Sequence, residues 1–218
     1  MLTLADWHSA WGALVAAADR LIVFSGDSRG QVLAVYPDAA DRLLVQPHPL
    51  LTAVPRLPLP APAAPPVIGV LGNIGVQKGA GVICDLATLP NRKSVGLVLI
   101  GNIDPDYTLP PGIPVHGDYL VTEIPTLVAH YGITHWLIPS IWPETFSYTT
   151  HEALATGLPV LAFDLGAQGA AVAQAPNGVL LPFSPTGNSA GNLAGNLAQT
   201  VLNAVMAETT KGRVQDLT

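Results

Sequence analysis

The most informative stretch of the chain runs from residue 143 to residue 160 and reads Pro143-Glu144-Thr145-Phe146-Ser147-Tyr148-Thr149-Thr150-His151-Glu152-Ala153-Leu154-Ala155-Thr156-Gly157-Leu158-Pro159-Val160. It places two carboxylates, Glu144 and Glu152, eight positions apart. The apolar run at residues 135–139 is typical of a strand and leads into the loop that carries Glu144. A short helix then carries Glu152, until Gly157 ends it and Pro159 enters the next strand. Strand, loop and helix therefore direct both acids toward one crevice.

This crevice is suited to an anion held between two acids. In an open parallel sheet, ligands bind beyond the carboxyl ends of the strands, and a helix N-terminus offers unpaired N–H groups to a phosphate. The natural cradle is formed by the backbone N–H groups between the acids, those of Thr145, Phe146, Ser147 and Tyr148. Their side chains matter less, so Phe146 and Tyr148 are better candidates for the core than for ligand contacts. Carboxylates can bind sugar hydroxyls and backbone amides can bind phosphates, so the combination suits a nucleotide-sugar.

Each acid also has a purely structural interpretation. Thr149 lies three residues before Glu152, as in a capping box, where the acid would only fix a helix start. A helix that begins near Ser147 instead places Glu152 inside it, free to face the crevice, and we favour this arrangement. For Glu144, the alternative to ligand binding is a solvated acid in a turn.

A second block carries a glycine turn and a lysine, and reads Val67-Ile68-Gly69-Val70-Leu71-Gly72-Asn73-Ile74-Gly75-Val76-Gln77-Lys78-Gly79. After the predicted strand, Gly72, Asn73 and Gly75 form a turn whose glycines would let backbone approach a ligand closely. The spacing matches neither a dinucleotide fingerprint nor a Walker A loop. Lys78 is either a solvated lysine or a phosphate ligand. A cation at a helix start is mildly disfavoured by the helix dipole, which favours the phosphate role.

Together, the two blocks resemble the retaining glycosyltransferases of family 4, which have the GT-B fold. Glu144 and Glu152 occupy the two acidic positions of that family's Glu-x7-Glu signature. The segments around them resemble those of the family's bacterial polysaccharide-synthesis branch. These segments are Leu137-Ile138-Pro139-Ser140-Ile141-Trp142-Pro143-Glu144-Thr145 and Gly157-Leu158-Pro159-Val160-Leu161-Ala162-Phe163-Asp164-Leu165-Gly166-Ala167. The resemblance covers roughly residues 20 to 185.

The resemblance implies a nucleoside-diphosphate sugar donor, a glycan or lipid-linked acceptor, and no cofactor or metal. It assigns Glu144 to the donor sugar, Lys78 to the diphosphate and Glu152 to the ribose hydroxyls; the first two would act in catalysis. The turns at Gly101 and at Gly117 with Tyr119 would border the base. Many family members carry an arginine near the position of Asn73. This chain has none there, so Lys78 is the only cation of the motif.

The length of 218 residues fits one domain, or one domain and part of another. By the resemblance, residues 1–50 are the end of an incomplete N-terminal acceptor domain, whose remainder is missing. Residues 51–66 form a linker, within a stretch from Pro47 to Pro66 that holds eight prolines. Residues 67–218 are the donor-binding domain.

Alternating apolar strands and helices predict an α/β fold with a doubly wound parallel sheet, the Rossmann-like half of a GT-B fold. The expected helices span residues 6–19, 29–36, 80–89, 123–131, a segment from about 147, 168–174, and about 190–207. The last one has leucines four apart, followed by Val201 and Val205, which gives one apolar face for packing. The expected strands span residues 21–24, 43–45, 67–71, 95–100, 113–116, 135–138, 159–163 and 179–181.

Composition limits the other possibilities. Charged residues are 11% of the chain, against about 25% in an average domain. Either this is a small domain with a neutral surface, or one face packs against an absent domain. A net charge of −6 argues against a nucleic-acid partner. Prolines interrupt the apolar windows and no signal peptide is visible, so we expect no transmembrane segment and a cytoplasmic location, including the inner membrane face. Cys84 is expected in the core, and the histidines show no metal-ligand spacing.

The sequence is compatible with three functions to different degrees. The first is the donor-binding half of a retaining glycosyltransferase. The second is a non-catalytic sugar-nucleotide-binding or scaffolding module, suggested by the missing arginine and the short N-terminal part. The third, a dinucleotide-dependent oxidoreductase, is disfavoured because the glycine spacing is wrong and no acid follows about 20 residues later.

Overall fold

The computed structural model describes residues 3–61, 65–184 and 193–215. In chain order, the elements are α1 (Leu4–Ala17), β1 (Leu21–Val23), α2 (Gly26–Val35), β2 (Leu43–Val45), β3 (Val67–Leu71), α3 (Ala80–Thr88), β4 (Gly96–Ile100), α4 (Ile124–Tyr131), β5 (His135–Ile138), α5 (Tyr148–Ala155), β6 (Val160–Phe163), α6 (Gly166–Gln174), β7 (Gly178–Leu181) and α7 (Leu193–Gln215). Short 3-10 helices cover Pro37–Arg42, Pro90–Ser94 and Val121–Glu123.

Strands β3 to β7 form one parallel sheet with the order β4-β3-β5-β6-β7. The chain leaves β3 toward β4 on one side and returns to place β5 on the other side. This makes the gap between the carboxyl ends of β3 and β5 the topological switch point, where open α/β sheets bind their ligands. The predicted doubly wound parallel sheet is confirmed.

Apolar residues cover both faces of this sheet. On one face, side chains of β3, β4 and β6 pack with α3 and α7; on the other, side chains of β4 to β6 pack with α4, α5 and α6. Leu197, Val201 and Val205 of α7 are buried, which confirms the packing role expected for that apolar face. Residues 185–192, which include the expected start of this helix, lie outside the described part of the chain.

The first four elements form a separate small layer. Strands β1 and β2 pair in parallel as a two-stranded sheet, and α2 packs against α6 of the larger unit. Helix α2 begins three residues earlier than predicted because the Ser25 side chain caps it, accepting a 3.1 Å hydrogen bond from the Ser28 N–H. None of the residues of α1 is buried.

Residues 46–61 form neither helix nor strand, as their prolines predict. The segment is nevertheless fixed to the larger unit. The Leu57 N–H donates a 2.7 Å hydrogen bond to the Thr156 carbonyl after α5, and Val54 is buried in the sheet core. The predicted linker is therefore extended and docked rather than free.

Two of the predictions about the fold are wrong. Residues 113–116 do not form a strand: only one bridge, Leu99 to Val115, joins them to the edge of β4. Pro114 has no N–H to continue a ladder, so the pairing cannot propagate. Cys84 is half-buried rather than part of the core, and burial raises the pKa of its thiol. Among the described helices, none combines the length and apolarity needed to cross a membrane.

Candidate functional site

The loops that follow β3 and β5 meet at the switch point and bring two predicted residues together. Lys78 Nζ lies 3.6 Å from Glu144 Oε2. The Lys78 side chain is 44% exposed and the Glu144 side chain 15% exposed, so water and ligands reach the lysine more readily than the acid. A pair this open contributes little to stability and can be rearranged by a ligand.

Lys78 is held by close contact between the two loops. The Gln77 carbonyl accepts hydrogen bonds from the Ile141 N–H at 3.0 Å and from Ser140 Oγ at 3.3 Å. Gly79 has a φ of 84°, and a Cβ there would lie 2.0 Å from the Pro139 carbonyl oxygen. Only glycine permits this approach, so Gly79 fixes the position of the lysine before it.

Glu144 is positioned from the opposite side by α6. Its N–H donates to Gln168 Oε1 at 3.0 Å, while Gln168 Nε2 donates to the Trp142 carbonyl at 2.9 Å. Gly166 has a φ of 61°, and a Cβ there would lie 2.7 Å from the Glu144 nitrogen. Because Gln168 is fully buried, its amide locks the loop without access to solvent.

Glu152 lies inside α5, which begins at Tyr148; the capping-box interpretation with Thr149 is therefore wrong. The residue is only 8% exposed, and burial raises the pKa of its carboxyl. No hydrogen-bond or ion-pair partner for it occurs within the described ranges. Burial, and the charge of Glu152, raise the pKa of the Tyr119 hydroxyl. Its oxygens are not fully removed from solvent, so hydroxyl donors from a ligand could replace water at the carboxylate of Glu152.

The entrance of α5 has the features expected of an anion cradle. The N–H groups of Tyr148, Thr149 and Thr150 donate to no acceptor in the described part of the chain. Ser147, the N-cap, is the one non-glycine residue with a positive φ there, at 69°. Its hydroxyl lies 2.7 Å from Thr150 Oγ1, so it does not cap the free amides. These donors, together with the helix dipole, favour a negative charge at this point.

The predicted aromatic residues behave differently from one another. Phe146 is buried, as expected, whereas Tyr148 is 39% exposed, so the core prediction for Tyr148 is wrong. Thr145 is exposed between Glu144 and Phe146. The side chain of Tyr148 is exposed because its helix turn lies at the rim of the sheet, and it is covered only in part by other rings.

The glycine turns after β3 and β4 are joined into one rim. Gly101 has a φ of 130° and packs on Gly72, whose φ is 113°. The Gly117 N–H donates to the Gly101 carbonyl at 3.0 Å. Gly75 differs, since its φ is ordinary and a Cβ there would meet nothing closer than 3.8 Å. Glycine is therefore required at position 72, by its φ and by the Thr149 side chain 3.1 Å from a Cβ there, and not at position 75; close approach of a ligand to this turn stays a prediction.

Asn73 belongs to a series of side-chain hydrogen bonds along this rim. Asn73 Oδ1 accepts from the Asn102 N–H at 3.3 Å and from Asn102 Nδ2 at 3.2 Å, and Asn102 Nδ2 donates to Asp118 Oδ1 at 2.6 Å. Asn102 thus ties the three turns together, and Asn73 is its acceptor in the turn after β3. Nothing in the sequence distinguished Asn102 beforehand.

The cleft between these loops has an empty volume of about 200 Å³, open to solvent. Its lining includes both members of the ion pair and comprises Leu71, Ile74, Lys78, Ile138, Pro139, Ser140, Glu144 and Thr149. Among the described residues, no group of histidine, cysteine and acidic side chains is arranged to hold a metal ion.

Sequence reasoning missed Gln168, Gly166 and His48. Gly166 lies in one of the segments that carried the resemblance. Its role, which is to leave room for the loop of Glu144, could not be read from that segment. Gln168 gave no usable signal, since α6 also carries the exposed Gln174 and no local pattern marks which of the two is buried. His48 gave none, because its partners are more than 90 residues away along the chain, apart from Phe24.

No protein-family model matches the sequence, and no curated protein matches it. Solved structures do match. A sucrose-phosphate synthase from Thermosynechococcus elongatus is 21% identical with a TM-score of 0.62, and the match covers 94% of this chain and 54% of that one. HepE of Anabaena, in complex with UDP-glucose, is 20% identical with a TM-score of 0.64, covering 94% and 59%. The lipopolysaccharide outer core galactosyltransferase WaaB, in its apo form, is 18% identical with a TM-score of 0.61, covering 86% and 54%.

These neighbours are glycosyltransferases of the GT-B fold. At such identities the likeness shows the fold alone: the five-stranded sheet and its helices match the Rossmann-like half of a GT-B enzyme. The chain spans little more than half the length of the structures it matches.

Proposed function

We propose that this chain is the donor-binding half of a retaining glycosyltransferase, which transfers a sugar from a nucleoside-diphosphate sugar to a glycan or lipid-linked acceptor. The observation that carries the proposal is the set of groups at the switch point. Lys78 and Glu144 lie 3.6 Å apart there. On the same side, α5 contributes unpaired N–H groups and the unpartnered Glu152. The Anabaena neighbour that holds UDP-glucose supports the choice of ligand class.

The diphosphate is assigned to the entrance of α5. The free N–H groups of Tyr148, Thr149 and Thr150 point outward from the first turn, where the dipole favours anions. Lys78 supplies the full positive charge and exchanges its contact with Glu144 for one with phosphate. In the transition state, the leaving diphosphate gains charge, and fixed donors stabilise that charge without reorganising.

The ribose is assigned to Glu152 and the donor sugar to Glu144. Glu152 is largely buried and its carboxylate accepts from no described group, so two ribose hydroxyls could bind its two oxygens. Gln168 holds the backbone of Glu144, which fixes the point from which the carboxylate would reach a sugar. Catalysis in this scheme is positioning and electrostatic stabilisation, with no metal and no base from this half.

The acceptor would bind across the cleft, on a second wall. The shallow cleft and the share of the neighbours that this chain spans both support a site completed by an N-terminal acceptor domain. We propose that the isolated chain binds donor weakly and turns over little or nothing.

A second candidate is a non-catalytic sugar-nucleotide-binding or scaffolding module. It is favoured by the single cation of the site, Lys78, which is engaged with Glu144. An acceptor domain encoded immediately upstream would argue against this candidate.

Calorimetric titration of the purified chain with UDP, GDP and their sugar conjugates tests the proposal. Saturable binding of one nucleotide is expected, weakened by both Glu152→Gln and Lys78→Ala. Lys93→Ala is the matched control, since Lys93 is exposed on the short helix before β4. If the folded chain binds no nucleotide at millimolar concentration, the donor-site proposal fails for this chain and the scaffolding candidate replaces it.

A further inference from the structure

His48 brings the small N-terminal layer into contact with the entrance of α5. It follows the carboxyl end of β2, as Phe24 follows the carboxyl end of β1. The two rings lie 3.9 Å apart, centre to centre. The His48 ring also lies 5.3 Å from the Phe146 ring, edge to face, and 5.6 Å from the Tyr148 ring, nearly parallel to it at 27°. The carboxyl edges of both sheets therefore meet through this imidazole.

The ring contacts continue to the strained residue of the turn. Phe146 stacks on His151 at 4.2 Å with an angle of 13° between the planes. His151 Nδ1 lies 3.0 Å from the Ser147 carbonyl oxygen, which can only accept, so Nδ1 donates. Ser147 has the left-handed φ of 69°. A continuous series of contacts thus links His48 to the backbone that orients the free amides.

We propose that His48 is a positioning residue for the anion-binding turn of residues 145–150. Its ring packs Phe146 and Tyr148 into the geometry that keeps Ser147 left-handed and directs the N–H groups that follow it toward one point. The ligand of that turn rests on the proposed function; the positioning role itself is a property of the free chain.

The physical need for such support comes from the backbone. A non-glycine residue in the left-handed region is strained by about 1–2 kcal/mol and persists only where its surroundings hold it. The Ser147 side chain does not cap the helix, so the turn depends on packing. Removing the imidazole would leave Phe146 and Tyr148 without the ring that lies against both, and the turn would open locally.

Stacking, rather than charge, is the role that the geometry supports. His48 makes ring contacts with three aromatic side chains and has no charged group among those contacts. A phenyl ring can reproduce these contacts, but not a charge or a hydrogen bond. Comparing His48→Ala with His48→Phe therefore separates the two roles.

Hydrogen exchange measured by mass spectrometry on the ligand-free chain tests the role directly. In His48→Ala, the hydrogen-bonded amides of residues 151–155, the first of which donates to the Ser147 carbonyl, should exchange about fivefold faster or more, as expected for the loss of two aromatic contacts. His48→Phe should stay within about twofold of the wild type. His130→Ala is the matched control, since His130 is exposed on α4 and contacts only Tyr131 among the described rings. Affinity for UDP should fall in parallel, by about fivefold in His48→Ala.

Three results would overturn the proposal. The first is unchanged exchange in His48→Ala. The second is amide exchange in His48→Phe that is as fast as in His48→Ala, which would show that the imidazole acts through charge or hydrogen bonding. The third is an equal rise in exchange over Val67–Leu71, which would show general destabilisation. If the wild type binds no UDP while exchange behaves as expected, the proposed function fails and the positioning role stands.

Discussion

The two sheets of this molecule are built from the same kinds of residue but differ in how completely they are covered. In the five-stranded sheet, Trp136, Leu161 and Phe163 are fully buried beneath helices on both faces. In the N-terminal layer, α1 exposes a stripe of four large apolar side chains, Leu4, Trp7, Trp11 and Leu14, and the two strands expose Ile22, Leu44 and Val45. The same chemical type is core in one place and surface in the other.

The attachment of α1 explains the difference. It is held largely by polar bonds: Tyr36 Oη donates to the His8 carbonyl at 2.9 Å, and Arg42 Nη1 donates to the Val15 carbonyl at 2.9 Å. Such bonds fix the position of a helix but bury little apolar area. Two parallel strands are also too few to form an independent core, because parallel sheets are normally covered on both faces. The N-terminal layer therefore depends on the larger unit for its stability.

The largest expected effect contrasts two tryptophans. Trp136→Ala removes a fully buried ring from the sheet core and should lower the free energy of unfolding by about 3–5 kcal/mol. Trp11→Ala should change it by about 0.5 kcal/mol or less, because the ring is 46% exposed. Denaturant unfolding followed by circular dichroism measures both. Equal losses would mean that α1 is covered in solution, and the comparison between the two layers would be lost.

Next in size is a pair of glycines expected to act in opposite directions. Gly79→Ala combines a left-handed φ with a clash against Pro139 and should destabilise the chain by about 2–4 kcal/mol. Gly30→Ala lies within α2 with nothing near its Cβ and should stabilise that helix by about 0.5–1 kcal/mol. Melting temperatures of the two variants check the signs. A tolerated Gly79→Ala would mean that the loops after β3 and β5 are not in close contact.

Two glutamines sharpen the contrast further. Gln168→Ala leaves the Glu144 N–H and the Trp142 carbonyl without partners and should cost about 1–3 kcal/mol. Gln31→Ala removes an exposed bond to Asp27 on α2 and should cost about 0.5 kcal/mol or less. The midpoint of urea unfolding distinguishes them. Similar midpoints would show that the Glu144 loop is not held by α6.

The smallest expected effect depends on pH and isolates Glu152. Burial raises its pKa in the folded chain, so the protonated form is favoured there. Its contribution to stability is then fully present below the unfolded pKa and is lost as the pH rises through the raised folded value. Glu152→Gln, which stays neutral, should be more stable than the wild type at pH 7.5, and this advantage should shrink toward pH 4. If the difference in unfolding free energy between Glu152→Gln and the wild type does not change with pH, Glu152 is solvated in the folded chain.

Much of the larger unit could be predicted from the sequence. The strands at residues 67–71 and 135–138 were predicted with their observed bounds, because short apolar runs between turn residues have few alternatives. Residues 113–116 were predicted as a strand on local composition, yet pairing requires N–H groups along the edge, and Pro114 interrupts them. Local patterns predict the tendency to form a strand, while the neighbouring strand decides whether it pairs.

The residues of the candidate site also fall into two groups, those that local motifs predict and those that only the fold brings together. The two acids, the lysine and the glycine turns were predicted from short local motifs and from the family resemblance that those motifs carry. The partners that hold them are distant along the chain: Gln168 fixes Glu144 from α6, and His48 reaches the α5 entrance from β2. Such contacts leave no local pattern.

The sequence by itself determined the α/β alternation, the parallel sheet and the candidates Lys78, Glu144 and Glu152, because periodicity and turn chemistry act over a few residues. Only the tertiary structure decided that Lys78 and Glu144 meet at 3.6 Å, that Glu152 is buried without a partner, and that the apolar side chains of α1 stay exposed. These are properties of packing between layers. They depend on which surfaces of the folded chain face one another. The distance between two residues along the sequence does not predict this.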